Sequence, residues 1–457
     1  MHLQNRTFDQ IEIGETAEMR RLVTPDDLLV FAATSGNYNP MHLPPADGTA
    51  GPETLAPGMF VAALVSAVLG TRLPGPGTLY RRQLLQFHER AHAGDELCTR
   101  VEVREKHDDG CLSIGTEVRR IGDNALILSG EAEVLAPIEP YSSDAADMPG
   151  LIVERHRHFQ ALLAKARDLP PLPTAVVCPD EANSLGGALL AARESLITPI
   201  LIGRTAAITA VAGEIGADLS GIELIDVTEG DRAAAALACR MVHEGRVAAV
   251  MKGHLHTEDL LHPMLDKLHG LRVGRRFTHV FVMDVPGQPQ PVMVTDAAIN
   301  IAPDLMTKVD IVQNAIDLAL ALGIEPRVGV LSAVETVNPA IQSSIDAALL
   351  SKMAERGQIR GGLVEGPLAM DNAVDIGAAR VKGLKNGVAG RANILVVPDI
   401  DAGNMVAKQL AYISHAEGAG LVLGARVPVI LNSRSDSPMS RLASCAVAAL
   451  HHAAGKA

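Results

Sequence analysis

Short apolar runs recur through the last two thirds of the chain: PILIGR, IELIDV, RVAAVMKG, HVFVMDV, RVGVLSA, ILVVPDI and VPVILNS. Ala- and Leu-rich stretches with helical spacing separate them. The runs are rich in β-branched residues and do not alternate apolar with polar. Both faces of each strand must therefore be covered, which is the condition of a mostly parallel sheet between helix layers. Apolar residues make up 47% of the 457 but aromatics only 2%, with no Trp. A core of Ala, Val, Leu and Ile lets helices lie close to a sheet. A short amphipathic helix, HRHFQALLAKARDL, leads into the first strand, TAVVCPD. The expectation for 151–457 is an α/β/α unit of two lobes.

The first third reads differently. Residues 55–70 (LAPGMFVAALVSAVLG) make one strongly apolar helix candidate. Alternating stretches follow it, TLYRRQLLQF, ELCTRVEVREKH, LSIGTEVRRIG and ALILSGEAEVLAP, separated by turns such as HAGDE and HDDG. Alternation bounded by Gly and Asp predicts antiparallel strands. One helix followed by a meander is an α+β layout, a curved sheet wrapped on a central helix. Around 138–150 the segment PIEPYSSDAADMPG is Pro-, Ser- and Asp-rich without hydrophobic period, as a linker is. The expected domains are 1–137 and 151–457, two cores being normal at this length.

The net charge of −13 argues against a nucleic-acid surface while leaving room for a local basic pocket for phosphates. Cys98, Cys111, Cys178, Cys239 and Cys445 show no CxxC spacing, so neither a zinc cage nor a disulfide framework is expected. The N-terminal MHLQNRTFDQIEIGE has no apolar core of a leader, and runs such as AALVSAVLG are too short to span a bilayer. These features together predict a reduced, soluble, cytoplasmic protein without membrane attachment.

Four loops share one grammar, an apolar strand, a polar loop and then a helix: MKGHLHTEDLL (251–261), VEGPLAMDNAVD (364–375), PDIDAGNMVAKQL (398–410) and LNSRSDSPMSRLAS (431–444). In open parallel sheets, ligands bind beyond the carboxyl ends of strands, where helix N-termini offer free N–H groups to anions. Ser437 before Pro438 reads as an N-cap with proline at the first helical position. Arg434 just ahead of it can grip a phosphate at two points. Taken singly, each loop is equally well an ordinary capped strand–helix turn. His254, His256 and His262 lack accompanying acids or cysteines, so no metal is expected. His156 and His158, two apart on a helix, are expected at the surface.

As a set, KGHLHTEDLL, EGPLAMDNAVD, PDIDAGNM and NSRSDS resemble the phosphate acetyl/butyryltransferase family over nearly all of 151–457. The resemblance implies a two-lobed α/β/α fold of the isocitrate dehydrogenase type with mostly parallel sheets. It also implies the reaction of an acyl-CoA with phosphate to give an acyl phosphate and CoA. The implied substrates are a short-chain acyl-CoA and phosphate, with no bound cofactor. Phosphate must be held by a cation, its proton must be accepted, and the oxyanion and thiolate need donors. The acetyltransferase branch carries a Ser-Arg pair and a catalytic Asp a few residues on. Ser433-Arg434 match the pair, Arg434 as phosphate clamp and Ser433 as donor near the thioester. A competing register, Ser440-Arg441, lies inside the following helix. No acid stands at the usual offset, and Asp436 is the nearest candidate base. Lys252, His254, Thr257, Asp371, Asn404 and Ser437 fall in the same motifs as candidate substrate contacts.

In the first third, FAATSGNYNPMH followed by APGM and LPGPGTLY resembles the MaoC-type hotdog fold of (R)-specific enoyl-CoA hydratases over about 10–135. In those enzymes the turn reads Ser-Gly-Asp-x-Asn-Pro-x-His, and Asp and His share a water. Here His42 matches the histidine and Asn39 and Pro40 the turn, but Asn37 stands where the acid belongs. An amide can only hydrogen-bond. Pro57 in LAPGM departs from a common His-Gly. Asp47, in the turn PPADG, is the remaining acid nearby. Arg81 and Arg82 alternate on a strand, so Arg81 is a candidate for the CoA phosphates, or else both are solvated.

These residues support a phosphate acyltransferase fused to a hydratase-like domain, both halves handling CoA thioesters. A second reading makes the hotdog half a non-catalytic acyl-CoA-binding or oligomerisation module, and both resemblances imply a homo-oligomer. A third assigns the second part to another member of its fold group. A dehydrogenase is disfavoured, because no GxGxxG opens the first strand–helix unit, VVCPDEANSLGG.

Overall fold

The structure is a computed structural model and describes residues 2–44, 54–144, 157–433 and 436–455. Asp47, His156 and Arg434 lie outside the described residues. The chain divides into two compact units, Met1–Arg155 and His156–Ala457.

In the first unit, β1 (His2–Gln4), β2 (Thr16–Leu22) and α1 (Pro25–Ser35) precede the central helix α2 (Gly58–Thr71). Then come β3 (Leu79–Phe87), β4 (Glu96–Lys106), β5 (Cys111–Arg120), β6 (Leu126–Leu135) and β7 (Ser142–Asp144). The five-stranded sheet runs β2-β4-β5-β6-β3, and every pairing in it is antiparallel. Along β4 the residues Leu97, Thr99, Val101 and Val103 turn inward and their neighbours outward, the period the sequence carried. Phe60, Val61, Leu64, Val65, Val68 and Leu69 form the buried stripe of α2, at helical spacing. They join Leu112, Ile114, Leu128 and Val134 in one core. Residues 142–144, inside the expected linker, pair with residues 2–4 as a small ribbon.

The second unit opens with α3 (Arg157–Arg167), β8 (Leu172–Val177), α4 (Ala182–Arg193), β9 (Ile197–Gly203) and α5 (Thr205–Glu214). It continues through β10 (Glu223–Asp226), α6 (Asp231–His243), β11 (Ala249–Lys252), α7 (Thr257–Met264), β12 (Thr278–Asp284) and β13 (Val292–Thr295). Next are α8 (Leu305–Ala321), β14 (Arg327–Leu331), α9 (Gln342–Glu355), β15 (Leu363–Leu368), α10 (Met370–Val374) and α11 (Ile376–Val381). The unit closes with β16 (Ile394–Val396), α12 (Ile400–Tyr412), β17 (Glu417–Leu423), β18 (Val429–Ile430) and α13 (Pro438–Ala454).

One sheet of 11 strands carries both lobes, in the order β10-β9-β8-β11-β18-β17-β12-β13-β16-β14-β15. Strands β8 to β11 and β18 are mutually parallel, as are β13 to β16. Between the two blocks β17 is antiparallel to β18 and to β12, and β12 is antiparallel to β13. The two blocks therefore point in opposite directions. The loops after β11 and β18 share one edge of the sheet, and the loops after β15 and β16 leave the other. His158, expected at the surface, is half-buried and hydrogen-bonded to the Gln288 carbonyl at 3.0 Å.

The loop after β11 lies hard against the end of β8. Gly253 N–H donates to Val177 O at 2.8 Å and His254 N–H to Cys178 O at 2.7 Å. A Cβ on Gly253 would come within 2.3 Å of both carbonyl oxygens. Since this is backbone and cannot rotate away, Gly253→Ala is expected to cost about 1–3 kcal/mol, read as a lower thermal midpoint.

Candidate functional site

Residues 431–433, 436 and 437, with the start of α13, build a polar wall. Ser437 caps the helix, its Oγ accepting from Ser440 N–H at 3.0 Å, with Pro438 at the first helical position as expected. Asp436 Oδ2 accepts from Ser433 N–H at 2.8 Å and from Asn432 Nδ2 at 3.2 Å. That pair fixes Ser433 beside the carboxylate. Burial pushes the Asp436 carboxyl above the usual carboxylate range. The Ser433 amide, the Asn432 amide and the Arg441 guanidinium oppose this, and Glu417 adds to it.

Glu417, at the start of β17, completes the wall. Its Oε2 accepts from Ser437 Oγ at 2.6 Å and from Ser440 Oγ at 2.5 Å. Arg441, only 4% exposed, braces the loop from behind by donating from Nη2 to Ser433 O at 2.9 Å. It reaches that position across Gly187 of α4, where a Cβ would lie 2.5 Å from Arg441 Cδ. Ser433, Asp436, Ser437, Ser440 and Glu417 line a cavity of about 260 Å³, closed on its other side by Phe281, Met283 and one face of α12 that includes Asn404.

Four of the expected residues, Ser433, Asp436, Ser437 and Asn404, thus meet in one cavity. Arg434 stands between Ser433 and Asp436 in sequence. Ser440, from the competing register, also faces the cavity, while its neighbour Arg441 is packed as a brace. Lys252, His254 and Thr257 lie elsewhere on the same sheet edge and do not line it. Lys252 ends β11 and is buried, and His254 Nδ1 sits 3.2 Å from Asp180 Oδ1, while Arg204 donates to Oδ2 of the same carboxylate at 3.1 Å. Asp371 is exposed on α10, 3.9 Å from Lys382, beyond the opposite edge. The reversal of strand direction at β17 and β12 is the reason it is set apart. Among the described residues no cluster of metal-binding side chains occurs. The sequence reading missed Glu417, since HAEGAG carries no motif and its partners are 20 and 23 residues away.

The first unit has its own candidate site. Helix α1 ends at Gly36, whose φ of 71° is left-handed, and the chain turns through Asn37 into a single 3₁₀ turn over Pro40–His42. Asn39 Oδ1 caps that turn by accepting from Met41 N–H at 3.4 Å. His42 Nδ1 lies 2.8 Å from Leu55 O. A carbonyl only accepts, so Nδ1 carries the proton and Nε2 is left as the acceptor. His42 lines a mainly apolar cavity of about 230 Å³ with Met41, Val61, Phe87 and Glu89. Asn37 is exposed and outside that lining, its Oδ1 accepting from Asn39 N–H at 3.4 Å. Pro57 caps α2. Arg81 pairs with Asp109 and Arg82 with Glu133, and neither lines the His42 cavity.

Residues 230–449 match the family described as "Phosphate acetyl/butaryl transferase", and residues 9–121 match "MaoC like domain". A phosphate acetyltransferase of Rhizobium meliloti is 57% identical over 300 residues, 65% of this chain and 95% of that protein. A phosphate butyryltransferase of Clostridium beijerinckii is 39% identical over 66% of this chain and 99% of that protein. Among solved structures, a branched-chain phosphotransacylase from Enterococcus faecalis V583 superposes with a TM-score of 0.54 at 30% identity, covering 62% of this chain and 99% of the other.

Proposed function

The chain belongs to the phosphate acetyl/butyryltransferase family, and from that premise we propose that the Ser433–Ser437 cavity moves a short acyl group from CoA to inorganic phosphate. A phosphate oxygen bonds to the thioester carbon, the C–S bond breaks, and CoA leaves as thiolate. Asp436 accepts the phosphate proton, Ser433 donates to the developing oxyanion, and Arg434 clamps the phosphate by a two-point contact. The observation that carries this reading is the 2.8 Å bond from Ser433 N–H to Asp436, which holds the two residues together on one cavity wall. Lys252, His254 and Thr257 are assigned to the CoA side of the same sheet edge. Asn404 and Ser437 are assigned to the cavity, and Asp371 to a more distant substrate contact.

The reading includes a cytoplasmic homo-oligomer whose partners are acyl-CoA and phosphate, without nucleic acid, membrane or bound cofactor. No described helix is long and apolar enough to cross a membrane. Free thiol released from acetyl-CoA or butyryl-CoA should depend on phosphate, and Arg434→Ala should remove most of it. An unchanged rate in that variant would place the phosphate elsewhere. A second reading concerns the MaoC-like domain, where His42 has a defined tautomer beside an apolar cavity but Asn37 offers no acid. It binds enoyl- or acyl-CoA and hydrates weakly.

A further inference from the structure

We propose that the apolar wall of the Ser433–Ser437 cavity seats the acyl chain, and that Ala411 and Met283 set the chain length. The proposal rests on the transferase reading and names the part of that site which selects the substrate.

The cavity has two chemically distinct sides. One is the wall of serine hydroxyls and carboxylates. The other is formed by Phe281 and Met283, which are two apart on β12 and so share a face, and by Ala407 and Ala411, four apart on α12, with Asn404, Lys408 and Tyr412 of the same helix at its margins. Gly418 of β17 stands directly opposite Met283 in the sheet. A Cβ there would lie 3.1 Å from Met283 Sδ, so the absent side chain leaves the thioether room. Phe281 is held edge-on against His279, with ring centroids 4.4 Å apart. Where Ala407 and Ala411 face Phe281 and Met283, small residues against large ones leave a slot rather than a packed contact.

At about 260 Å³ the cavity is below the roughly 300–1,000 Å³ of sites that enclose drug-sized ligands. It can enclose phosphate and a short acyl group but not a whole CoA. A thioester carbon beside Ser433 and Asp436 directs its chain away from the polar wall, against Ala411 and toward Met283. Each added methylene then displaces water from apolar surface until the chain meets Met283, and beyond that length it must push a buried side chain aside. Ala411 is half-buried, so a larger residue there narrows the slot without entering the sheet core.

The test follows phosphate-dependent thiol release from acetyl-, butyryl-, hexanoyl- and octanoyl-CoA in wild type, Ala411→Leu and Met283→Ala, with thermal midpoints recorded. Wild type should favour two to four carbons. Ala411→Leu should lower kcat/KM for butyryl-CoA relative to acetyl-CoA by about tenfold or more, and Met283→Ala should raise hexanoyl-CoA relative to acetyl-CoA by a similar factor. Should Met283→Ala not fold, Ala411→Leu decides alone. Chain-length ratios unchanged in the folded variants, with acetyl-CoA still turned over, would overturn the acyl-wall assignment and leave the transferase reading standing. No phosphate-dependent release from any acyl-CoA by wild type would overturn both.

Discussion

Asp436→Asn should lower kcat for phosphate-dependent thiol release by about 10²–10⁴-fold, the range expected when a general base is lost. The exchange is nearly isosteric, and the asparagine oxygen can still accept from Ser433 N–H, so the loop keeps its shape. Wild type should show an acid limb in kcat above the ordinary carboxylate range, because burial raises the Asp436 carboxyl. The variant should lack that limb. Arg441→Met removes the buried guanidinium that favours the ionised form, and should move the wild-type limb to still higher pH. A rate within a few-fold of wild type in Asp436→Asn would reduce this carboxylate to a loop brace.

Stability should move in the other direction. A carboxyl whose pKa is raised on folding binds its proton more tightly in the folded state. Its burial therefore costs nothing at low pH, and stability falls as pH rises from the unfolded value of about 3.8 through the folded one. Asparagine carries no charge to bury. At neutral pH the variant should melt no lower than wild type and be far less active, as expected where a site is strained for function. Thermal melts near pH 3.8 and at pH 8 check the sign, since the difference between variant and wild type should widen at the higher pH.

The sequence carried the layers of both units because burial imposes period. Alternation along β4 and the stripe on α2 can be read from spacing alone. The caps of α13 at Ser437 and Pro438 were legible for the same local reason. Strand direction was not. Runs such as HVFVMDV and RVGVLSA are equally apolar on both faces whichever way their neighbours run, so nothing marked the reversal at β12 and β17. That reversal separates Asp371 from Ser433. Glu417 was illegible because its meaning comes from two serines on another element. In the sequence Arg441 stands out only as a rival to Arg434, whereas its burial and its bond to Ser433 O make it a support of that residue.

Restoring the missing acid should have the second large effect. Asn37→Asp is expected to raise the hydration of crotonyl-CoA by about 10²–10⁴-fold over wild type, the same factor counted in the opposite direction. Much of what that acid needs is in place. The Leu55 carbonyl fixes the proton of His42 on Nδ1, leaving Nε2 to handle water or the α-carbon proton. Asn39 caps the short turn that sets His42 against the cavity. Asn37 lies exposed two residues ahead of that turn's cap, its side chain accepting from Asn39 N–H at 3.4 Å, so a carboxylate there displaces nothing packed and can accept the same bond. The variant should accordingly melt within about 0.5 kcal/mol of wild type, as surface changes away from packed features do. The absorbance of crotonyl-CoA measures the gain directly. A large gain means the domain keeps a hydratase site silenced by one amide, while a flat result with crotonyl-CoA still bound makes the cavity a binding module. Rapid hydration by wild type would instead mean that His42 works with another acid, and Glu89 on the same cavity wall is then the residue to replace next.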